Sequence, residues 1–580
     1  MRGQFRKISC LLLAGALVAS ACGSDDDNTA TGSTEPVTEG SDDGTTATTA
    51  VDDTVSEGEP ATETTSAAGE EPGEEPLGDV CTADKAGGEI TIAPRGVGAT
   101  LDTYNANLGG VQTGFEGYLL YSTLVRYDSD SASYVPYIAE SLEGNDDSTV
   151  WTLTLRPEVR FGNGDALDAD ALIAHIDRQL AEESTSRPKR YAAPFIESYS
   201  KVDDWSVDFT TTSPFGDFPS IFAGQLGMVQ NIAVVNELGQ EAFAQDPQGG
   251  GVGPYEVAEW APPERVVFTA KDDWWGGPVC IQQVTLTFIP DLAAAYDAYE
   301  TGEVDLVYFN RDPVALASAR DEHPEATYSV GVFNGAFMVM PNIAAGNYDG
   351  PMSDVRVRQA MAYAIDPEVI NQRAWGGQGW PDKGLANAVS NELTPTDGIP
   401  YDPDRARELL DEYKAETGWD GTVNAVAAGT PASNREAAIT VAAMLDAVGF
   451  NVQQDFDLSL VPFITQVITD KNYEIVASWG FIYPESNLYS GLRQWASPEK
   501  GGFYNGYASE GFDAALDQMR EAGTIEEYQA SIEAIQSVIN EEVPFQIYGA
   551  DVGTTMARET IHGIVWDRGI EPLLESAYLE

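Results

Sequence analysis

Apolar and polar positions alternate in short runs through the first half of the chain and recur at helical spacing through the second. Glu89 to Pro94 (EITIAP) and Val150 to Leu155 (VWTLTL) change side at every residue, which predicts strands with one covered face. Val202 to Thr211 and Arg265 to Thr269 predict further strands. Gly114 to Leu124 places Phe115, Tyr118, Leu119 and Leu120 at helical offsets and predicts a helix packed on the first strand. Gly162-Asn163-Gly164-Asp165 predicts a tight turn, and Asp168 the N-cap of a helix reaching Leu180. Later, Val355 to Ile365, Asp404 to Tyr413, Glu436 to Val448 and Ile525 to Ile539 predict amphipathic helices. Strands at Thr422 to Ala427, Asn451 to Asp455 and Tyr473 to Ala477 lie between them. Helices and strands mixed in this way predict an α/β architecture. Gly249-Gly250-Gly251-Val252-Gly253-Pro254-Tyr255 lacks the Lys-Ser/Thr ending of a phosphate loop and runs into strand-like sequence. It predicts a strand crossing between lobes, with glycine for close backbone approach.

The N-terminus has the three-part build of a bacterial export signal: Arg2, Arg6 and Lys7, an apolar run from Ile8 to Ala19, then Ala19-Ser20-Ala21-Cys22. A cysteine after small residues resembles a lipoprotein lipobox, in which residues 1–21 are removed and Cys22 is acylated. An ordinary cleaved secretion peptide is the alternative. The apolar run is shorter than the roughly 20 residues that cross a bilayer. Residues 22–80 are almost entirely Ser, Thr, Gly, Ala, Pro, Asp and Glu, with no aromatic and almost no large apolar side chain, a composition expected to form a disordered, self-repelling tether. The expected location is therefore outside the cytoplasm, lipid-anchored at the outer face of the cell membrane.

About 500 residues follow, too many for one hydrophobic core, so at least two lobes are expected. Acidic residues number 93 against 31 basic, a net charge of −62 that repels phosphate backbones and argues against a nucleic-acid partner. With Cys10 and Cys22 assigned to the N-terminal segment, Cys81 and Cys280 form the one pair in the folded part. In an oxidising compartment they are expected to bond, two separate thiols being the alternative. His175, His323 and His562 lie far apart, so the sequence gives no pattern for a metal centre or a serine triad, and no cofactor is expected. Carboxylates are abundant, and no one pair of them stands out for glycoside chemistry.

Six ordered segments resemble the extracellular solute-binding proteins, family 5, that feed peptide, opine and nickel ABC importers. They are Tyr121-Ser122-Thr123-Leu124-Val125 with Pro136 to Ser141; Trp151 to Arg156 with Phe161 to Asp165; Gly251 to Tyr255 with Trp260 and Trp274-Trp275-Gly276; Asp354 to Ala360; Tyr363-Ala364-Ile365-Asp366; and Tyr401-Asp402-Pro403. The resemblance implies a two-lobed, hinged, periplasmic-binding-protein-like α/β fold (type II, cluster C kind) that closes on a small-molecule ligand. Lobe I would comprise residues 81–330, with a subdomain at about 116–234, completed by 540–580; lobe II would comprise 331–539. Arg356 and Arg358 are expected to make salt bridges and packing contacts, Asp366 to cap a helix and Trp151 to fill core.

Peptide-binding members carry an aspartate a few residues after a tryptophan in the second lobe, where it pairs with the ligand's amino group. In the matching stretch here, Trp479 to Glu485 (WGFIYPE), Ile482 stands at that position, and the nearest carboxylate is Glu485. What remains is aromatic: Trp479, Phe481 and Tyr483, with Tyr504 and Asn505, expected to stack on and hydrogen-bond to a neutral or cationic ligand. Trp375, Trp380, Tyr104 and Phe115 are further candidates for the wall. The expected protein is a monomeric, non-catalytic binding lipoprotein that delivers a peptide-like, oligosaccharide or other small solute to permease subunits. A secreted hydrolase using a carboxylate pair and a receptor for a sensor kinase are the alternatives.

Overall fold

In the strand Val150–Leu155 the odd positions Trp151, Leu153 and Leu155 are buried and the even ones half-covered, as the alternation requires. The computed structural model describes residues 81–94, 96, 98, 100–104, 115–128, 133–309, 312–387, 393–482, 488–500, 502–567 and 571–580. Cys22, the expected signal and the tether, Tyr483 and Glu485 all lie outside these residues.

One ten-stranded sheet runs through the protein. Its order is Asn451–Leu458, Thr422–Ala428, Ile475–Ile482, Thr327–Pro341, Gln546–Ala557, Leu306–Tyr308, Glu89–Ala93, Gln283–Thr287, Arg265–Ala270 and Tyr255–Ala261. The two central members, Thr327–Pro341 and Gln546–Ala557, pair antiparallel from Thr327 opposite Ala557 to Val339 opposite Gln546, with two irregularities on the way. Gln546–Ala557 pairs on its other edge with Leu306–Tyr308 near its C-terminal end, and Thr327–Pro341 pairs on its other edge with Ile475–Ile482 near its C-terminal end. The two halves are therefore joined by these two strands.

Helices cover both faces. Val355–Ala364, Pro403–Thr417 and Ala432–Val448 bury Val357, Met361, Leu410, Val441 and Leu445 against Val339, Ala425 and Ala477. Leu488–Leu492, Glu510–Glu521 and Ile525–Glu542 cover the other face through Met338, Met340, Val426 and Val476. In the first half, Phe115–Tyr121 and the C-terminal segment pack over Val266, Val284 and Leu306. Leu292–Thr301 and Pro313–Glu322 pack on the side of Val307 and Met556. A separate four-stranded antiparallel sheet, Ala139–Gly144, Val150–Leu155, Ser206–Thr211 and Ile196–Lys201, carries the helix Ala169–Leu180. Asp168 caps that helix, accepting from the Ala171 N–H at 2.9 Å.

The acidic residues of the signature segments are helix starts. Asp354, Asp366 and Asp402 each accept from first-turn amides of the helix they precede, and proline stands at the start of the latter two helices. Arg356 reaches Asp354, Glu412 and Glu416, and Arg358 donates to backbone carbonyls. A disulfide joins Cys81 to Cys280, with Cα atoms 5.6 Å apart, and fixes the start of the fold beside the strand Gln283–Thr287.

The glycine-rich segment departs from expectation. Residues 249–254 form a loop, and Tyr255 enters the outermost strand of the sheet rather than a strand crossing between lobes. Glycine is required there because a Cβ on Gly251 would strike the Leu120 carbonyl, to which the Gly253 N–H donates at 2.8 Å.

Candidate ligand site

Three neighbouring strands of the second half, Thr422–Ala428, Asn451–Leu458 and Ile475–Ile482, run parallel, so their C-terminal ends emerge together. In open α/β sheets that end is where ligands are held. Trp479 lies on the last of these strands opposite Met338, and it is half-buried. Its ring meets Phe463 at 5.2 Å and Tyr504 at 6.4 Å between centroids. Phe463 belongs to the helix Leu460–Ile464, which comes directly after the strand Asn451–Leu458.

That helix turns Phe463 inward and leaves Leu460 59%, Val461 75% and Ile464 38% exposed. Phe503, 48% exposed, extends the surface through Tyr504, 4.5 Å away. Large apolar side chains gathered on water mark a contact surface, since folding alone gives no reason to place them there. Trp479 thus stands behind an apolar lip. The sequence reading missed Leu460, Val461 and Ile464. Their signal was an apolar run too wide for a five-residue helix with one covered side.

The other candidates divide. Tyr504 is 7% exposed, stacked on Trp495 at 4.8 Å, with its hydroxyl donating to Gln494 Oε1. Asn505 is buried, and its amide donates to the carbonyls of Pro341 and Pro544, tying together the ends of the two central strands. Its backbone carbonyl accepts from Ile343, Ala344 and Ala345. Both residues brace the structure rather than line an open surface, because their polar groups already have partners within it.

Trp375 is on the opposite sheet face from Trp479. It packs with Phe337 at 5.1 Å and Tyr548 at 6.5 Å in a narrow cavity that Trp380 also lines, and alternation places Phe337 and Met338 on opposite sides. Phe115 fills core beside Leu101 and Leu119. Tyr104 is half-buried under the Arg178 guanidinium, 4.5 Å away, which itself forks onto Asp102 at 2.6 and 2.7 Å. Phe481 pairs with Ala336 through its backbone, and its side chain lies outside what the structure describes. Among the described residues, the predicted side chains are therefore not gathered into one wall. Trp479 is joined by apolar neighbours instead.

The helix bearing Phe115 also buries Glu116, whose carboxylate accepts from the Gly98 N–H at 2.8 Å. Burial pushes this carboxyl from an ordinary 4.5 up to about 7, with Glu571 acting in the same direction. Below about 4.5 the group is protonated folded and unfolded and makes no difference. Above about 7 the folded state holds a buried charge at a cost of at most about 3 kcal/mol. Glu116→Gln, which keeps the acceptor for Gly98, should raise the urea midpoint at pH 8 and match the wild type at pH 4. A gain of equal size at both pH values would show that charge is not the cause.

His175 is fully buried, its ring held between the Leu226 carbonyl and the Gln230 N–H, and burial drives its pKa down to about 3. It is a neutral core residue. Folding brings Glu300, Glu322 and His323 together at the surface, where His323 pairs with Glu300 and Glu325.

The sequence profile of bacterial extracellular solute-binding proteins, family 5 middle, matches residues 133–501, more than half of the chain. The nickel-binding periplasmic protein of Escherichia coli K12 is 26% identical over 309 residues, covering 53% of this chain and 57% of that protein. The dipeptide-binding protein of the same strain is 22% identical over 476 residues, 77% of this chain and 86% of that one. The matched stretch thus spans a little under six tenths of the nickel-binding relative. Among solved structures, the PBP AgaA from A. tumefaciens R10 in complex with agropinic acid superposes with a TM-score of 0.69 at 19% identity, over 85% of this chain and 99% of that one. That likeness establishes the fold as the two-lobed, hinged α/β fold of periplasmic binding proteins.

Proposed function

The chain belongs to the bacterial extracellular solute-binding proteins of family 5, and on that premise we propose that it captures a small solute between two lobes and delivers it to the permease of an ABC importer. Lobe I comprises residues 81–330 and 540–580, with a subdomain at about 116–234. Lobe II comprises 331–539. The strands Thr327–Pro341 and Gln546–Ala557 cross between them and supply the hinge. Cys22 carries the lipid that holds the chain at the membrane, and residues 22–80 give it reach. The protein acts as a monomer and leaves the bonds of its cargo intact.

The observation that carries this reading is Trp479 behind its apolar lip, at the C-terminal ends of three parallel strands in the second half of the sheet. Relatives named for nickel and for dipeptides share the family, so cargo class has to come from this chain's own residues. The lip favours a solute with an apolar or aromatic face. The net charge of −62 favours neutral or cationic solutes over anions. Ile482, aligned where peptide-binding members place their aspartate, leaves an amino terminus without its charge partner, and an unpaired buried ammonium is costly.

Native mass spectrometry of freshly purified protein tests the reading by revealing a co-purifying solute. In a subsequent thermal-shift screen, a micromolar binder at millimolar concentration should add about 4 kcal/mol. Simple dipeptides and tripeptides are expected to produce no shift. A submicromolar Kd for an unmodified dipeptide would contradict the cargo assignment, and turnover of a substrate would contradict the binding role.

A further inference from the structure

The two lobes meet at a second place besides the crossing strands. The four-stranded unit is fastened to lobe I: Gly162 and Asn163 donate to the carbonyls of Gly251 and Gly249, Arg178 forks onto Asp102, and Tyr137 packs on Trp275. From this base the segment 213–217 reaches the C-terminal end of the lobe II helix Glu510–Glu521. There the Gly216 N–H donates to the Arg520 carbonyl at 2.8 Å, and Arg520 Nε donates to the Pro214 carbonyl at 3.1 Å. Beside these bonds, Phe195 and Phe215 close on Tyr489 of lobe II at 5.7 and 5.9 Å, and the Arg493 guanidinium lies 4.9 Å from the Phe195 ring. All three aromatic side chains are buried, at 8%, 2% and 5% exposure.

We propose that this contact is a latch that biases the hinge toward closure independently of the cargo. None of its groups belongs to the Trp479 surface, so its strength does not depend on what is bound there. Hinge opening would part Phe195 and Phe215 from Tyr489 and return aromatic surface to water, which disfavours the open form. Two backbone carbonyls would lose their donors at the same moment. Gly216 is the residue that permits the contact, because a Cβ there would strike the Ala522 carbonyl, and the three atoms nearest to that Cβ all belong to Glu521 and Ala522. A side chain at 216 therefore meets the opposite lobe before anything in its own. Any solute then binds with an affinity close to its intrinsic one for the closed form, because little of that affinity is spent on closing the hinge.

The inference rests on the two-lobed reading, and the test separates them. Spin labels at Val202→Cys and Ala530→Cys, both exposed, one on each lobe, are placed in a full-length chain carrying Cys10→Ser and Cys22→Ser. Their distance distribution is measured without added solute. A short-distance population should dominate in the parent, with a minor longer one. Gly216→Val and, independently, Tyr489→Ala should each raise the longer population several-fold, with Gly216→Val retaining the parent's melting temperature. Two populations whose weights neither variant alters would overturn the latch and leave the hinge standing. A single distance in the parent and both variants would overturn the latch together with the two-lobed reading.

Discussion

Arg358→Met is expected to destabilise the fold by about 3–5 kcal/mol, seen as a lower denaturant midpoint at unchanged slope. The size reflects the number of groups the guanidinium holds. Nε donates to the carbonyls of Glu542 and Val543 at 2.9 and 3.1 Å, and Nη2 donates to Glu542 again at 2.7 Å. Nη1 donates to Met352 and Ser353 at 3.0 and 2.9 Å. Glu542 and Val543 end the helix Ile525–Glu542, where unpaired carbonyls and the negative end of the helix dipole accumulate, so a buried cation is well placed there. Methionine fills similar volume but leaves these carbonyls dry and unbonded, at about 1–3 kcal/mol for each buried group so stranded. Arg358→Lys should fall between, because a single ammonium cannot span two pairs of acceptors on opposite sides of a planar fork. A loss below about 1 kcal/mol for the methionine variant would mean that water reaches these carbonyls.

Neighbouring Arg356 shows why sequence adjacency says little about energetic weight. It contacts three carboxylates, but Glu412 and Glu416 are largely exposed, and ion pairs of that kind contribute little. Arg358 is held by backbone carbonyls and is 6% exposed, and it carries the larger load.

The same contrast between pattern and surroundings explains which parts of the fold were legible. Val150–Leu155 and the helices beginning near 404 and 525 face the core on one side, so their apolar residues recur at a readable period. The two central strands were missed. Gln546–Ala557 is buried at every position and has no exposed face to set against a covered one, and in Thr327–Pro341 the polar Ser329 is buried while Val330 is only half-covered, so burial there does not follow polarity. The crossing role was assigned instead to the glycines near 251, whose close approach is real but is made to the helix Phe115–Tyr121. In the site, aromatic identity was a weak guide, since the same rings that stack on ligands also fill cores. Phe115 and Tyr504 fill core, and Trp375 lies on the far side of the sheet. Trp479 is set apart by its neighbour in space, the short helix Leu460–Ile464, which has more apolar residues than it can bury.

Trp479→Ala is accordingly expected to weaken binding of the co-purifying solute by about 100-fold, the loss typical of a central aromatic anchor worth about 2–3 kcal/mol. Its ring is half-buried and supported by Phe463 and Tyr504, so it presents a fixed face whose ordering cost was met on folding. Trp479→Phe should recover most of the affinity. Trp375→Ala serves as the counterpart. It empties a packed site beside Phe337 and Tyr548 and should cost more stability, about 3–5 kcal/mol, while molecules that remain folded bind normally. Titration calorimetry with the identified solute, at a temperature where all variants are folded, reads both effects. If Trp375→Ala weakens binding more than Trp479→Ala does, the solute lies on the other face of the sheet, and the apolar lip of Leu460, Val461 and Ile464 must serve a different contact.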